Sequence, residues 1–417
     1  MYKRPIASTY SLSSLKGYEP YIDGMIEKFM GILDQHDASN EPINMSNWLH
    51  YWAFDMISKM SFGEPIGFLD HGSDFNGMIK SQKRFFRYIS IVNNMPILDS
   101  LLKRNPFLKL VKQKPSMFFT FTKRIVTERI AQAEREKDKK EDPEAEASSP
   151  GPAAHHHRDM LGSFIEARKT YPQIMTDLRI AHLSTTNVVA GANDSASSMD
   201  KVIHYLAGHP DAQERLYNEI TSVVNGTATA VKEKDSREKD KDSKTEGEGP
   251  AALELALKMP FLEAIVLESY RTFGVPSNNM ERIVPQSGMR LPNGVQLPPG
   301  AVIAMNAASM AMLPHIFGAD VKEFNPDRWF QAPTESDAEY ASRRHAMDRA
   351  AGMVFGHGSR GCIGKNVVQL EMFKLWASLV RVYRVSLSLA GRLVREMLLL
   401  SPMICVCIDH PILFTTH

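Results

Sequence analysis

Apolar residues recur at three- and four-residue spacing along the first third of the chain, which is the period of amphipathic helices. The pattern is clear in the segments YIDGMIEKFMGIL, NWLHYWAFDMISKM and FTKRIVTERIAQAERE. It returns after Thr176, a residue type that caps helices, and continues until Gly208 and Pro210. This stretch predicts one long central helix.

The second half of the chain changes its pattern. PFLEAIVLESYRTF predicts another helix, whereas MRLPNGVQLPPGAVIAMN alternates turn residues with short apolar runs and predicts a small sheet. We therefore expect a mainly α fold with a small β region late in the chain.

Two segments cannot bury an apolar face. Residues 136–158 combine charge with Pro, Gly, Ala and Ser, and residues 225–250 alternate Lys, Glu, Asp and Arg. Both are predicted to be disordered inserts within a single domain. The three histidines His155 to His157 fall in the first insert and are interpreted as part of a solvated tract rather than a metal site.

Composition excludes several classes of protein. The chain has 417 residues with 49 Lys and Arg against 48 Asp and Glu, so no net field favours nucleic acid as a partner. Three cysteines are too few for a secreted disulfide framework and suggest a reducing compartment. No apolar run is long enough to span a bilayer.

The strongest chemical signal is FGHGSRGCIG, from Phe355 to Gly364. A thiolate that ligates a metal must form at neutral pH, and a cysteine just before the predicted helix KNVVQLEMFKLWASL is placed to do so. Gly358, Gly361 and Gly364 are expected to adopt conformations closed to other residues and to let the backbone approach a flat cofactor. The alternatives are a buried structural cysteine and a hydrolase nucleophile, for which the His and Asp context is missing.

This segment resembles the FxxGxRxCxG signature of cytochromes P-450, with matches at Phe355, Gly358, Arg360, Cys362 and Gly364. The resemblance implies the cytochrome P-450 fold and a haem cofactor. It makes Cys362 the proximal ligand of the iron, and it assigns Arg360 to a haem propionate.

A second resemblance is the ExxR motif of the same family, matched at Glu268 and Arg271. The two residues lie about one helical turn apart and so on one face. In the family this pair joins an arginine from a later segment, and FNPDRW supplies Arg328. Three buried charges must satisfy one another, so this is interpreted as a structural network.

A third match is GANDSA, which resembles the family's oxygen-activation motif. Gly191 and Ala192 would leave space for dioxygen, in a helix that often carries a local distortion at such a site. Asp194 and Ser195 would relay protons, although the commoner family alcohol is threonine. A merely structural role for the acid and the alcohol stays open.

The resemblance runs from Lys3 to about Leu375. Within it, Arg282 falls where the family binds a propionate, and residues 275–279 fall where it contacts substrate. The opening KRPIASTYSLSSLKGYEP is similar to the end of the family's third lettered helix, so the fold is predicted to lack its N-terminal part and the membrane anchor. Residues 376–417 are interpreted as an atypical C-terminal tail.

The resemblance implies a monooxygenase that inserts one oxygen atom from O2 into a lipophilic small molecule. Electrons would come from NADPH through NADPH-cytochrome P-450 reductase. ESYRTFG and the form of the Arg328 motif resemble fungal biosynthetic members of the pisatin demethylase type, so secondary metabolism is expected. The intact member would reside at the endoplasmic reticulum membrane, whereas this chain alone, with no anchor, would be cytoplasmic. The alternatives are a haem-thiolate isomerase or dehydratase and an inactive truncated homologue that binds haem poorly.

Overall fold

The computed structural model describes residues 3–39, 43–102, 115–140, 159–234, 249–273, 279–387 and 411–416. The chain separates into two compact units, unit 1 with residues 1–262 and 363–417 and unit 2 with residues 263–362. The histidines of the first insert, Cys405, Cys407 and residues 275–278 of the expected substrate stretch lie outside the described residues.

Unit 1 is built mainly from helices. Those of its first half are α1 (Leu12–Lys16), α2 (Glu19–Ser39), α3 (Met45–Phe62), α4 (Phe68–His71), α5 (Met78–Asn94), α6 (Pro96–Leu102) and α7 (Met117–Lys140). They are followed by α8 (Met160–Thr170), α9 (Asp177–Gly208), α10 (Pro210–Lys234), α11 (Leu253–Ala256) and, after unit 2, α16 (Lys365–Val382). The helix α7 extends five residues into the first predicted insert, and α10 extends ten residues into the second. No helix in the described ranges is long and apolar enough to cross a bilayer.

The helix α9 begins and ends where its sequence predicts. The Thr176 hydroxyl accepts a hydrogen bond from the Arg179 amide at 3.3 Å, which satisfies one of the N–H groups exposed at a helix start. At the other end the helix stops at Gly208, and Pro210 starts α10. Between these ends α9 is an uninterrupted α-helix, so the expected local distortion is not seen.

The core of unit 1 lies where α3 packs against α9. Fourteen of the 18 residues of α3 are buried, including both faces of its central turns. Gly191 of α9 allows the approach, because a Cβ added there would lie 2.9 Å from Ile57 Cγ1 of α3. Glycine at position 191 therefore permits the close packing of α3 against α9.

Unit 1 also has a small antiparallel sheet. Its strands are β1 (Ile43–Asn44), β6 (Tyr383–Leu387) and β7 (Pro411–Thr416), in the order β1-β7-β6. The described part of the 376–417 segment, interpreted as an atypical tail, continues α16 to Val382 and forms β6 and β7, of which β7 pairs with β1.

Unit 2 begins inside α12 (Pro260–Phe273) and has two strand pairs, each antiparallel. These are β2 (Asn279–Ile283) with β5 (Val302–Asn306), and β3 (Met289–Arg290) with β4 (Gln296–Leu297). Its other helices are α13 (Ala307–Ala311), α14 (Pro314–Phe317) and α15 (Asp337–Gly352). The prediction of a mainly α fold with a small, late β region is confirmed.

The helix α15 carries no apolar stripe that would predict it. Its start does carry a signal, since the Ser336 hydroxyl accepts from the Glu339 amide and the Glu339 carboxylate accepts from the Ser336 amide. This reciprocal capping box marks a helix start in sequence as Ser-x-x-Glu. The pattern of apolar positions alone missed it.

Candidate active site

The loop around Cys362 is held by short-range hydrogen bonds within unit 2. Two 3-10 turns, Met353–Phe355 and Gly358–Arg360, precede the cysteine. The Cys362 amide then donates to the Phe355 carbonyl at 2.6 Å and closes the loop. The Cys362 thiol is exposed, so it is not the buried structural cysteine considered above.

Glycine is required in this loop at positions that differ in part from those expected. Gly356 has φ 66° and ψ −173°, a region almost closed to other residues, and Gly358 has φ 65°. The expectation of special conformations is wrong for Gly361, with φ −52°, and for Gly364, with φ −85°, because any residue can adopt these angles. Gly361 is nevertheless confined, since an added Cβ would lie 3.2 Å from the Gly358 carbonyl oxygen.

The Phe355 ring fixes one end of the loop. It packs edge-on against Tyr270 of α12, with ring centroids 5.1 Å apart and an interplanar angle of 82°. Further along, the Arg360 side chain is exposed. Arg282 of β2 is also exposed, and its Nη1 donates to the Glu281 carbonyl at 2.8 Å.

The Glu268 carboxylate lies at the centre of a buried network. Glu268 and Arg271 are 0% and 1% exposed, and Arg271 donates to both carboxylate oxygens, at 2.9 and 2.6 Å. Arg328 Nε donates to Glu268 Oε1 at 3.0 Å, and Trp329 Nε1 donates to Oε2 at 2.9 Å. The structure thus brings Glu268, Arg271 and Arg328 into direct contact.

Arg271 also satisfies its remaining N–H groups. Its Nη1 donates to the carbonyls of Ala311 and Val321 at 3.0 and 2.6 Å, and its Nη2 to that of Glu323 at 2.8 Å. A buried guanidinium with a full set of acceptors avoids the cost of an unsatisfied charge. These bonds fix the course of the chain between α13 and the 3-10 turn Pro326–Trp329.

Arg328 is held from a second side by Asp320, whose oxygens accept from Arg328 Nη1 and Nη2 at 2.9 and 3.0 Å. A hydrogen bond from Asn325 Nδ2, together with Arg328, lowers the pKa of Asp320. The Arg343 side chain of α15 donates to the Arg328 carbonyl at 2.6 Å and so stabilises the 3-10 turn Pro326–Trp329. Sequence reasoning missed Asp320, Trp329 and Arg343, of which Trp329 directly follows the predicted arginine.

Asp194 and Ser195 lie in unit 1 on α9. Asp194 is exposed, yet desolvation by the surrounding protein raises its pKa, against a 3.3 Å hydrogen bond from Asn193. A carboxyl group that solvent reaches while much protein surrounds it is typical of a concave surface. Ser195 is only 3% exposed, so the two side chains have different surroundings.

A buried carboxyl group, Glu371 of α16, lies next to Ser195. Glu371 is 0% exposed, and neither of its oxygens has a partner with hydrogen-bond geometry among the described residues. Desolvation raises the pKa of Glu371 to about 8, and the nearby Ser195 hydroxyl moderates the rise. Glu371 is therefore largely protonated at neutral pH. No sequence signal identified this residue.

Comparisons with known proteins were made for the whole chain. The family model described as Cytochrome P450 matches residues 3–396. The cytochrome P450 monooxygenase vrtE of Penicillium aethiopicum is 31% identical over 374 residues, which cover 89% of this chain and 63% of that protein. A cytochrome P450 monooxygenase of Aspergillus terreus is 29% identical over 391 residues, covering 92% and 70%.

The chain belongs to the cytochrome P450 family. The match continues to residue 396, beyond Leu375, where the resemblance was expected to end. The chain spans about two thirds of the length of these relatives, 63% for the first of them. The family implies a haem cofactor, which needs an accessible sulfur donor and cations for two carboxylates. Unit 2 offers the exposed Cys362 thiol with the exposed Arg282 and Arg360, so its donor set fits haem.

Proposed function

We propose that the protein is a haem-thiolate monooxygenase that inserts one oxygen atom from O2 into a lipophilic small molecule, in fungal secondary metabolism. The observation that carries the proposal is the exposed Cys362 thiol in a loop fixed by the Phe355 carbonyl, within a cytochrome P450 chain. The names of the similar proteins, which include cytochrome P450 monooxygenases of Penicillium and Aspergillus, support it. We further propose NADPH-cytochrome P-450 reductase as electron donor and the endoplasmic reticulum membrane as the place of reaction.

Each residue assigned to haem binding has a defined part in this proposal. Cys362 would hold the iron through its sulfur, and Arg360 and Arg282 would bind the propionates by charge-assisted hydrogen bonds. Phe355, Gly358 and Gly364 shape the loop against the cofactor. When bound, haem supplies oxygen activation, which a thiolate ligand promotes by donating electron density. The buried network of Glu268, Arg271 and Arg328 positions the chain that leads to the loop.

Replacing Cys362 by serine is expected to abolish the spectral signature of thiolate ligation, because a serine oxygen is a far weaker donor to iron. The measurement is the Soret band of the reduced, carbon monoxide-bound form of the full chain after loading with haem. Wild type should show the red-shifted band of a thiolate complex, and Cys362→Ser should not.

The matched controls are Cys405→Ser and Cys407→Ser, which remove the two other thiols of the chain. Both should keep the wild-type band. If either control loses it while Cys362→Ser retains it, Cys362 is not the ligand.

We also propose that Asp194 and Ser195 deliver protons during oxygen activation. The resemblance of GANDSA to the family motif supports this, as does the raised pKa of Asp194, since a carboxyl group titrating nearer neutrality is a better proton donor at pH 7. Asp194 would take protons from the side that solvent reaches, and the buried Ser195 hydroxyl would pass them on.

Replacing Ser195 by alanine should leave substrate binding nearly intact while the product formed per NADPH consumed falls on the order of tenfold, with hydrogen peroxide released instead. The matched control is Ser198→Ala, one turn further along α9, whose hydroxyl donates to the Asp194 carbonyl at 3.0 Å. Unchanged coupling in Ser195→Ala, or an equal loss in the control, would remove Ser195 from the relay. Product formed with no NADPH consumed would instead favour an isomerase or dehydratase.

A further inference from the structure

A cleft of about 360 Å³ lies in unit 1 between α3 and α5. Asn47, His50 and Tyr51 of α3 form one wall. The Tyr51 ring is fixed by stacking on Phe68, with centroids 6.2 Å apart and an interplanar angle of 19°. The cleft includes none of the residues assigned to haem binding or proton delivery.

The opposite wall of the cleft is strongly basic. It is formed by four exposed cationic side chains of α5, namely Lys80, Lys83, Arg84 and Arg87. Lys83, Arg84 and Arg87 follow Lys80 by three, four and seven residues, a spacing that puts all four side chains on one face of the helix. They therefore converge on the same space.

These cations have little negative charge to balance them. The one carboxylate that lines the cleft is Asp74, and its oxygens accept hydrogen bonds from the backbone amides of Ile79 and Lys80 at 3.1 and 2.8 Å. Within the described residues, none of the four cationic side chains forms an ion pair with an acidic group. The two pairs four residues apart, Lys80 with Arg84 and Lys83 with Arg87, repel each other and destabilise the helix.

We propose that this cleft binds a phosphate-bearing anion, which offsets the repulsion within α5. A di- or monoester phosphate is the class of ligand that fits, because clustered lysine and arginine side chains donate several charge-assisted hydrogen bonds to phosphate oxygens. Asn47 offers a further amide donor, and Tyr51 an aromatic surface for an attached organic group. The ligand can be soluble, or it can be the headgroup of an anionic lipid.

The test compares two double variants of the full chain. Lys83→Gln with Arg84→Gln removes half of the basic wall, and Lys123→Gln with Arg124→Gln removes an adjacent, exposed pair of the same types from α7. Binding of inorganic pyrophosphate is measured by titration calorimetry. Co-sedimentation is measured with phosphatidylcholine vesicles that contain phosphatidic acid, and with vesicles that lack it.

Wild type and the α7 variant are expected to bind alike, and the α5 variant about tenfold more weakly. Binding to pyrophosphate alone identifies a soluble ligand, and binding to the acidic vesicles identifies a lipid headgroup. Either result supports the proposal when the α5 variant loses it and keeps the wild-type circular dichroism spectrum. Absence of saturable binding by wild type in both assays, or an equal loss in the α7 variant, overturns it.

Discussion

Replacing Glu268 by alanine is expected to destabilise unit 2 by about 3–5 kcal/mol. The carboxylate is 0% exposed and accepts from Arg271, Arg328, the Trp329 indole and the Asn325 amide. Its removal leaves two buried guanidinium groups without their shared counter-charge, although backbone carbonyls still accept from both. The free energy of unfolding in urea, followed by tryptophan fluorescence, measures the effect.

A second carboxylate of α12 serves as the control. Glu263 pairs with Arg344 at 3.0 Å, but its side chain is 47% exposed, so solvent screens the pair. Glu263→Ala should cost less than about 1 kcal/mol. Equal costs for the two variants would mean that the Glu268 network contributes no more than an ordinary surface ion pair.

Glu371 should make the stability of unit 1 depend on pH. Its pKa is raised to about 8 in the folded protein, whereas a glutamate in an unfolded chain ionises near pH ~4.3. Between these values the folded state binds more protons than the unfolded state, so the free energy of unfolding falls as the pH rises. This contribution is fully present at low pH and is lost as the pH approaches about 8.

Glu371→Gln keeps the shape of the protonated side chain and cannot ionise. The free energy of unfolding of wild type should therefore fall relative to that of the variant as the pH rises. The expected fall is on the order of 4 kcal/mol between pH ~4.5 and ~8. Denaturant unfolding at several pH values measures it. Glu214→Gln on α10, where the side chain is 47% exposed, should show no such trend. A difference that is constant with pH would mean that Glu371 is ionised in the folded state.

Local sequence signals were enough to predict where the central helix α9 begins and ends. The cap at Thr176 and the Gly208 and Pro210 pair marked the ends of α9 because a capping side chain and a proline act on their own few residues. Arg328 was predicted as the partner of Glu268 and Arg271 through the resemblance to the family, in which the ExxR pair joins an arginine of a later segment. The bonds that complete this network, from Trp329 and from Asp320, depend on how the 3-10 turn meets α12 and were not predictable from spacing.

Glu371 shows most clearly what sequence patterns leave out. A charged residue on an amphipathic helix is ordinarily assigned to the solvated face, but α16 is buried on all sides from Leu370 to Val380. Lys374 is paired there with Glu19 and Asp23 of α2, whose carboxylate oxygens lie 2.6 and 2.7 Å from its Nζ. Among the described residues, Glu371 has no such partner. Its protonation is a result of tertiary packing, which no local pattern of residues encodes.

The network around Glu268 also bears on how the chain folds as it is made. Glu268 and Arg328 are 60 residues apart in sequence, so at about 5–20 residues per second the ribosome needs about 3–12 seconds to add the second after the first. During this interval the Glu268 carboxylate and the Arg271 guanidinium can pair with each other, but Arg328 and Trp329 are not yet present to complete the network. Burying the pair at this stage would be costly. The nascent helix should therefore stay hydrated until the Arg328 turn has emerged. Docking of that turn then becomes a late step in the folding of unit 2.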